Sequence, residues 1–207
     1  MGGKERAWGI LGGTFDPVHL AHIRLAEHAF RELELEKLTF IPAYIPPHKT
    51  DKAITDKRHR LEMTKLAVKD YKEFEVSDME LRLSGTSYTA RTLTLLAEQH
   101  DRIVFILGAD SFMALDSWYR PEIIFARAEI ACACRDGINI GTLKDRAVFY
   151  KEKYGAVTHF LHMDDTDISS TEIRRFIADG QDISGYVPAA VYEYIRENGL
   201  YKGNVKG

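Results

Sequence analysis

Short apolar runs alternate along the chain with longer stretches in which apolar residues recur at helical spacing. This alternation is typical of repeated βα units, which build a parallel sheet with helices packed against it. The predicted strands are residues 7–11, 37–42, 74–76, 103–107, 128–133 and 157–161.

Six stretches between and after these strands have the period of a helix with one buried face. The clearest stripe of buried positions consists of Ile23, Ala26, Phe30 and Leu33. Gly180 and Gly199 are expected to end the last two helices, because glycine readily adopts the left-handed conformation found there. The predicted helices are residues 18–33, 58–68, 88–99, 143–154, 170–179 and 188–198. Together the elements predict an α/β fold, a Rossmann-like doubly wound parallel sheet of about six strands with helices on both faces.

The composition is that of a globular protein with a mixed surface. Of the 207 residues, 45% are hydrophobic and 29% are charged, and the formal net charge is -3. A surface that coats nucleic acid needs an excess of basic side chains, so this balance argues against one. No apolar run approaches the roughly 18 residues of a membrane span, and the first residues lack the apolar stretch of a signal peptide. We therefore expect a cytoplasmic protein without a nucleic-acid or membrane partner.

The chain is expected to form a single domain over residues 1–201, followed by a loose polar tail at 202–207. Its composition is compatible with a homo-oligomer and does not decide the oligomeric state. Cys132 and Cys134 lie two positions apart in a strand-like run, which places both side chains on one face. A bridge between them would be strained, so we expect a buried, reduced pair rather than a redox or metal site.

Unusual residues follow the first predicted strand, at the sheet edge where doubly wound folds bind ligands. They are Gly12, Gly13, Thr14, Phe15, Asp16, Pro17, His19 and His22. The glycines allow close approach of the backbone to a ligand, and Pro17 with Asp16 as N-cap suits the first turn of a helix. A helix N-terminus attracts phosphate, and two histidines three residues apart can donate hydrogen bonds from the same face.

Two other interpretations of this histidine pair are open. The imidazoles could serve only to cap and pack a helix, although the convergence of glycines, cap and both histidines favours a ligand. They could also bind zinc, but neither cysteine nor carboxylate recurs beside them at helical spacing.

A second candidate phosphate site lies at the start of the helix predicted over residues 170–179. Ser169 followed by Glu172 forms a capping box. The same helix start exposes backbone N–H groups, and Arg174 adds a forked cation that suits phosphate. Capping alone remains an alternative to capping combined with polyphosphate binding. The residues of this site are Ile168, Ser169, Ser170, Thr171 and Arg174.

These motifs resemble those of the adenylyl- and cytidylyltransferase superfamily, and most closely those of the bacterial nicotinate-nucleotide adenylyltransferases. Gly13-Thr14-Phe15-Asp16-Pro17 followed by His19 and His22 is similar to the first signature of that family. Ile168-Ser169-Ser170-Thr171-Glu172-Ile173-Arg174 is similar to its Ile-Ser-Ser-Thr-x-Ile-Arg motif. The resemblance covers nearly the whole chain. It implies that ATP is bound by Gly12, Gly13, Thr14, Phe15, His19, His22, Ile168, Ser169, Ser170, Thr171 and Arg174.

The resemblance also implies residues on the acceptor side. Lys49 ends a Pro-Pro-His-Lys segment that resembles one in the family, where the lysine serves the phosphate chemistry. Without that resemblance, a lysine in a polar loop is expected to be simply solvated. Asp110 suits ribose hydroxyls, and Trp118 offers a flat face for a pyridine ring, with a core or interface tryptophan as the alternative. Thr89 lies in a segment similar to that near the family's pyridine carboxylate, and the alternative is that it is an N-cap or an ordinary helix residue. The implied substrate-binding residues are Thr89, Gly108, Asp110, Trp118 and Tyr119.

The implied reaction transfers AMP from ATP to nicotinate mononucleotide and gives nicotinate adenine dinucleotide and pyrophosphate. A phosphate monoester has a second pKa near ~6, so the nucleophile is already ionised and no general base is required. The implied partners are ATP, with Mg²⁺ as its companion ion, and a pyridine mononucleotide, and no protein metal site is expected. The implied catalytic residues are His19, His22, Lys49 and Arg174.

Other functions fit parts of the same pattern. The acceptor could be nicotinamide mononucleotide or phosphopantetheine, and a chain with this fold could bind nucleotide as a sensor without turnover. The sequence does not distinguish the acid from the amide of the pyridine nucleotide. It also gives no role to Arg135 or to the acidic cluster Asp164, Asp165 and Asp167.

Overall fold

The computed structural model describes residues 6–44, 54–83, 86–135, 139–163 and 168–202. In these ranges six parallel strands form one sheet in the order β3-β2-β1-β4-β5-β6. The strands are β1 Trp8–Gly13, β2 Lys37–Pro42, β3 Phe74–Val76, β4 Ile103–Gly108, β5 Glu129–Arg135 and β6 Thr158–Met163. The chain runs from β1 outward to β3, returns to the other side of β1 with β4, and continues outward to β6. The predicted doubly wound parallel sheet is confirmed.

Helices cover both faces of the sheet, because successive strand residues point to opposite sides. The helices are α1 Leu20–Glu32, α2 Lys57–Val68, α3 Met79–Arg82, α4 Thr89–Leu96, α5 Ala109–Ala114, α6 Pro121–Arg127, α7 Ile140–Tyr154, α8 Ser170–Ala178 and α9 Ala189–Glu197. Leu11 and Ile106 pack on one side with α1, α2, α8 and α9, and Ile10 and Phe105 pack on the other with α4, α5, α6 and α7. A single turn of 3-10 helix, Leu115–Ser117, follows α5.

All six predicted strands and all six predicted helices are present, with bounds that shift by a few residues. Helix α7 begins three residues before its predicted start at 143, because the Asn139 side chain caps it by accepting from the backbone of Gly141 and Thr142. Gly180 and Gly199 follow α8 and α9 with φ of 70° and 59°, which confirms their predicted role in ending those helices. Three helices were not predicted, α3, α5 and α6, of 4, 6 and 7 residues. They are too short to show a helical period.

The cysteine pair lies in β5 as predicted. Cys132 and Cys134 are both buried in the same apolar cluster, and both thiols are free. Burial raises the pKa of each thiol, which disfavours the reactive thiolate.

None of the helices in the described ranges combines the length and apolarity of a membrane span.

Candidate active site

A crevice lies at the carboxyl ends of β1 and β4, the neighbouring strands from which the chain runs to opposite halves of the sheet. Such a switch point is where doubly wound folds bind ligands. A cavity of about 390 Å³ occupies it. The end of β1 contributes Gly12, Gly13 and Thr14 to the wall, and Ile10 and Phe105 form part of the floor.

The turn between β1 and α1 differs from the one predicted. Helix α1 begins at Leu20 with His19 as its N-cap, so the placement of Pro17 in the first helical turn with Asp16 as the cap is wrong. Asp16 is buried, with 4% of its surface exposed, and its carboxylate accepts from other groups. Phe15, at φ 49°, has a buried ring that packs nearly perpendicular to the ring of His22, with centroids 5.0 Å apart.

His19 and His22 lie together at the start of α1, with ring centroids 3.7 Å apart. The backbone N–H of His19 donates to Nδ1 of His22 at 3.2 Å. Because Nδ1 accepts, the proton of the neutral His22 ring is on Nε2, which is then a donor. The first backbone N–H of the helix, that of Leu20, donates to the carbonyl of Tyr186 at 2.9 Å. One of the backbone donors at the start of α1 is therefore already engaged within the protein.

The second motif also folds as predicted at its helix start. Ser169 and Glu172 form a reciprocal capping box, in which the Glu172 N–H donates to Ser169 Oγ at 3.2 Å and the Ser169 N–H donates to Glu172 Oε2 at 2.9 Å. Ile168 is buried directly before it. Thr171 accepts a hydrogen bond of 3.1 Å from Nη2 of Arg174, which orients that guanidinium along the first turn of α8.

The two motifs meet at the Asp16–Pro17 turn. Arg174 Nη1 donates to the backbone carbonyl of Asp16 at 2.6 Å, and Ser170 Oγ donates to that of Pro17 at 2.9 Å. Residues more than 150 positions apart, 158 for the first bond and 153 for the second, thereby form one cluster. The histidines follow this turn along the chain, and Arg174 is bonded to it. Among the described residues these three side chains do not line the cavity, whereas Gly12, Gly13 and Thr14, which precede the turn, do line it.

Three of the predicted substrate-binding residues line the cavity, namely Thr89, Trp118 and Tyr119. Thr89 is the first residue of α4, whose N-cap is Tyr88. Gly108 and Asp110 do not line this cavity in the described residues, although they lie at the same sheet edge, exposed, where β4 passes into α5. Lys49 and His48, the acidic cluster at 164–167 and the side chain of Arg135 lie outside what the structure describes.

A buried arginine holds the backbone around the site and was missed from the sequence. Arg60, in the first turn of α2, is 1% exposed. Its guanidinium donates to four carbonyls, at 2.7 to 3.2 Å: those of Thr14, Ala43, Tyr44 and Thr55. Burial lowers the pKa of Arg60, and the nearby Asp16 carboxylate opposes that shift. The sequence did carry a signal, since Arg60 stands in the buried stripe of α2 with Met63, Thr64, Ala67 and Val68.

A glutamate in the cavity wall was also missed. Glu80, in the short helix α3, accepts from Thr92 Oγ1 at 2.5 Å and from the Ser87 hydroxyl. Ser87 Oγ in turn accepts from the backbone N–H of Tyr44 at 2.8 Å. The carboxyl thus connects α3, α4 and the segment after β2 around one side of the cavity. No periodic pattern marks a helix as short as α3, so no local signal pointed to this position.

Tyr201 holds the site from the far end of the chain, and its substitution is testable. Its hydroxyl donates to Asp16 Oδ1 at 2.7 Å, and burial beside that carboxylate raises the pKa of the phenol. We expect Tyr201→Phe to lower the free energy of unfolding by about 2 kcal/mol, the value of a hydrogen bond to a charged group. Urea denaturation measures it, with Tyr186→Phe, at a side chain 37% exposed, as the control. Equal unfolding midpoints for Tyr201→Phe and the parent protein would contradict this role.

Comparison with known proteins agrees with the arrangement. A family model described as cytidylyltransferase-like matches residues 10–176. The chain is 37% identical over 198 residues to a probable nicotinate-nucleotide adenylyltransferase of Lachnoclostridium phytofermentans, covering 95% of this chain and 99% of that one. It is 38% identical over 196 residues to a protein of the same name from Carboxydothermus hydrogenoformans, covering 94% and 97%.

A solved structure shares the fold at lower identity. It is the nicotinic acid mononucleotide adenylyltransferase of Plasmodium falciparum complexed with NaAD. The TM-score is 0.73 at 20% identity, and the match covers 95% of this chain and 97% of that one. The resemblance inferred from the two motifs is confirmed by these matches.

Proposed function

Since the chain belongs to the cytidylyltransferase-like family and, within it, to the nicotinate-nucleotide adenylyltransferases, we propose that it transfers AMP from ATP to nicotinate mononucleotide. The products are nicotinate adenine dinucleotide and pyrophosphate. The observation that carries the proposal is the junction of the two phosphate motifs, where Arg174 and Ser170 hold the carbonyls of Asp16 and Pro17 next to the histidine pair.

The junction supplies donors on two sides of a polyphosphate. His22 presents Nε2–H as a donor, because its Nδ1 accepts from the backbone. Arg174 has five N–H donors, of which the bonds to Asp16 and Thr171 use two, so others can reach phosphate oxygens. Lys49, outside the described ranges, is proposed to add a further positive charge. ATP is proposed to lie across this cluster, along Gly12, Gly13, Thr14, Phe15, Ile168, Ser169 and Thr171.

In the proposed reaction a phosphate oxygen of the mononucleotide attacks the α-phosphorus of ATP. The new oxygen–phosphorus bond forms as the bond to the bridging oxygen of pyrophosphate breaks. Because the second pKa of a phosphate monoester is near ~6, no protein group has to remove a proton at neutral pH. The protein holds two anions that repel each other and stabilises the charge that moves to the leaving group.

The cavity is proposed to hold the pyridine ring of the acceptor. Trp118 and Tyr119 offer aromatic faces, and Thr89 stands at the first turn of α4, where backbone N–H groups suit a carboxylate. Gly108 and Asp110, at the same sheet edge, are proposed to approach a ribose.

Mg²⁺ fits this site as the companion of ATP. It prefers oxygen ligands and is commonly held by substrate phosphates and water. The donors at the junction are imidazole and guanidinium nitrogens. No group of three or more His, Cys, Asp or Glu side chains that could hold a metal occurs within the described ranges. We therefore propose that phosphate oxygens and water provide the ligands of Mg²⁺, which would offset charge on the pyrophosphate, while His22 and Arg174 orient the same phosphates.

The function is tested by pyrophosphate release from ATP and Mg²⁺, with nicotinate mononucleotide and nicotinamide mononucleotide in parallel reactions and phosphopantetheine in a third. We expect rapid release with the nicotinate compound and little with the other two. Equal rates with acid and amide would keep the chemistry but contradict the proposed selectivity. ATP binding without release with any acceptor would favour a nucleotide sensor. The cytoplasmic location and the oligomeric state stay predictions.

A further inference from the structure

The cavity at the switch point has aromatic walls and one carboxyl group. Tyr88 and Tyr119 pack against each other with ring centroids 4.4 Å apart, and Trp118 stands edge-on to Phe105 at 6.3 Å. Among the described residues that line the cavity, Glu80 is the single Asp, Glu, Lys, Arg or His side chain. The cavity thus combines one carboxyl group with several aromatic side chains.

Glu80 is held in place without a basic partner. Its carboxylate accepts from Thr92 and Ser87, and none of the ion pairs in the described part of the chain includes it. Burial raises the pKa of the Glu80 carboxyl, while the two hydroxyl donors oppose that shift by favouring the ionised form. A partly buried carboxylate that has hydrogen bonds but no counter-charge gains stability from any cation that enters the cavity.

The acceptor brings such a cation. The ring nitrogen of nicotinate mononucleotide is bonded to the ribose, so the ring is a pyridinium with a permanent positive charge. Aromatic faces and a carboxylate are the two kinds of group that attract an aromatic cation in proteins. The ring's own carboxylate can lie toward the start of α4, whose N–H groups have the opposite polarity. In this arrangement the negative Glu80 complements the positive ring, and the N–H groups at the start of α4 complement the ring's carboxylate.

We propose that Glu80 is a specificity-determining residue that recognises the positive charge of the acceptor's pyridinium ring, an inference that rests on the proposed function. This role explains why a cavity proposed to bind the nicotinate carboxylate also contains the carboxyl group of Glu80. It also restricts the acceptor to a nucleotide with a cationic ring, because a neutral group would leave Glu80 without a counter-charge. A purely structural Glu80 would fix Ser87 and Thr92 equally well for any ring of the same shape.

The test compares two ligands that differ in ring charge alone. One is nicotinate mononucleotide, and the other is its neutral isostere, in which a 3-carboxyphenyl ring is joined to the ribose phosphate through carbon. Calorimetry measures both dissociation constants at a mildly alkaline pH. We expect the parent protein to bind the cationic ring about tenfold more tightly, and Glu80→Gln to remove most of that preference. Glu80→Asp, which keeps the charge, should keep the preference.

Thr92→Val is the matched control, because it removes a hydroxyl partner of Glu80 without removing the charge. This substitution should weaken the binding of both ligands by the same factor. In turnover, Glu80→Gln should raise KM for nicotinate mononucleotide about tenfold and change kcat by less than about threefold, since binding of the ring, not the reacting phosphates, is affected. Thermal unfolding of each variant verifies that it is folded.

The outcomes separate this inference from the proposed function. Glu80→Gln could weaken the binding of both ligands by the same factor while the parent protein releases pyrophosphate normally. That result would overturn the role of Glu80 and leave the proposed reaction in place. Equal affinity of the parent protein for the two ligands would overturn it as well. Absence of pyrophosphate release by the parent protein with nicotinate mononucleotide would overturn the proposed function, and the inference with it.

Discussion

Substituting His22 with asparagine is expected to lower kcat for adenylyl transfer about 100-fold or more, the effect of removing one donor to a transition-state oxygen. Glutamine at the same position is expected to keep kcat within about tenfold of the parent value, for the same reason. The two substitutions divide the functions of the imidazole ring. Asparagine places its carbonyl oxygen near the position of Nδ1, whereas glutamine places its amide nitrogen near that of Nε2.

The structure gives each ring nitrogen of His22 a separate task. Nδ1 accepts from the backbone of His19 at 3.2 Å and so helps to form the start of α1. Nε2–H is the proposed donor to the phosphates of ATP. Asparagine therefore preserves the helix start and removes the proposed catalytic donor, whereas glutamine does the reverse. A role limited to helix capping predicts the opposite ranking of the two variants.

The measurement is steady-state pyrophosphate release with saturating ATP and nicotinate mononucleotide, accompanied by thermal unfolding. His28→Ala is the control on the same helix, because His28 pairs with Glu32 at 2.8 Å on a face about 40% exposed. It should leave kcat unchanged. A well-folded asparagine variant with near-normal kcat would show that His22 does not stabilise the transferring phosphate.

The strands could be predicted because they are short, nearly continuous apolar runs, and the long helices because their buried positions recur at helical spacing. In β2 and β3 the predicted bounds agree with the structure. The β3 residues lie between Glu73 and Ser77, and β2 begins at a charged residue, Lys37, and ends at Pro42. The capping box at Ser169 was predictable for a related reason, because both of its members lie within one turn. Local patterns therefore located both phosphate motifs, and the resemblance to a family joined them into one site.

The turn after β1 was mispredicted because its partners are distant in sequence. Asp16 has the residue type and position of an N-cap, but its carboxylate accepts from Tyr201, 185 residues away, and from the backbone of Thr55. With that carboxylate engaged, His19 takes the cap position. Glu80 was missed for a similar reason, since its cavity is assembled from β1, α3, α4 and the segment after α5. Such contacts depend on the tertiary fold rather than on any local pattern.

Arginine side chains are usually exposed, but Arg60 occupies a buried position in the helical pattern of α2. Of the substitutions proposed for this protein, its removal is expected to lower the free energy of unfolding most. Truncation to alanine should lower the free energy of unfolding by about 3–5 kcal/mol, because it leaves buried carbonyls without their donor. The affected carbonyls belong to Thr14, Ala43, Tyr44 and Thr55. For a chain of this length the corresponding fall in Tm is about 10 °C.

Two further variants separate charge from geometry. Arg60→Lys keeps a positive charge near Asp16 but cannot span four carbonyls, so it should recover less than half of the lost stability. Arg58→Ala is the matched control, because Arg58 lies two positions away, on the opposite side of α2, with 87% of its side chain exposed and Asp56 as its partner. That substitution should leave the urea midpoint unchanged. Equal midpoints for Arg58→Ala and Arg60→Ala would contradict a structural role for the buried guanidinium.

The hydrogen bonds of Arg60 to these carbonyls also connect stability to catalysis. Thr14 lines the cavity, Ala43 does so from the other side of β1, and Arg60 Nη1 holds the carbonyls of both. In Arg60→Lys, assayed well below its Tm, loss of the fork should loosen the β1 turn that carries the histidine pair. We therefore expect kcat to fall about tenfold while the chain remains folded, since misplacement by about 1 Å costs rate rather than binding. Normal kcat in that folded variant would show that Arg60 stabilises the fold without positioning the phosphates.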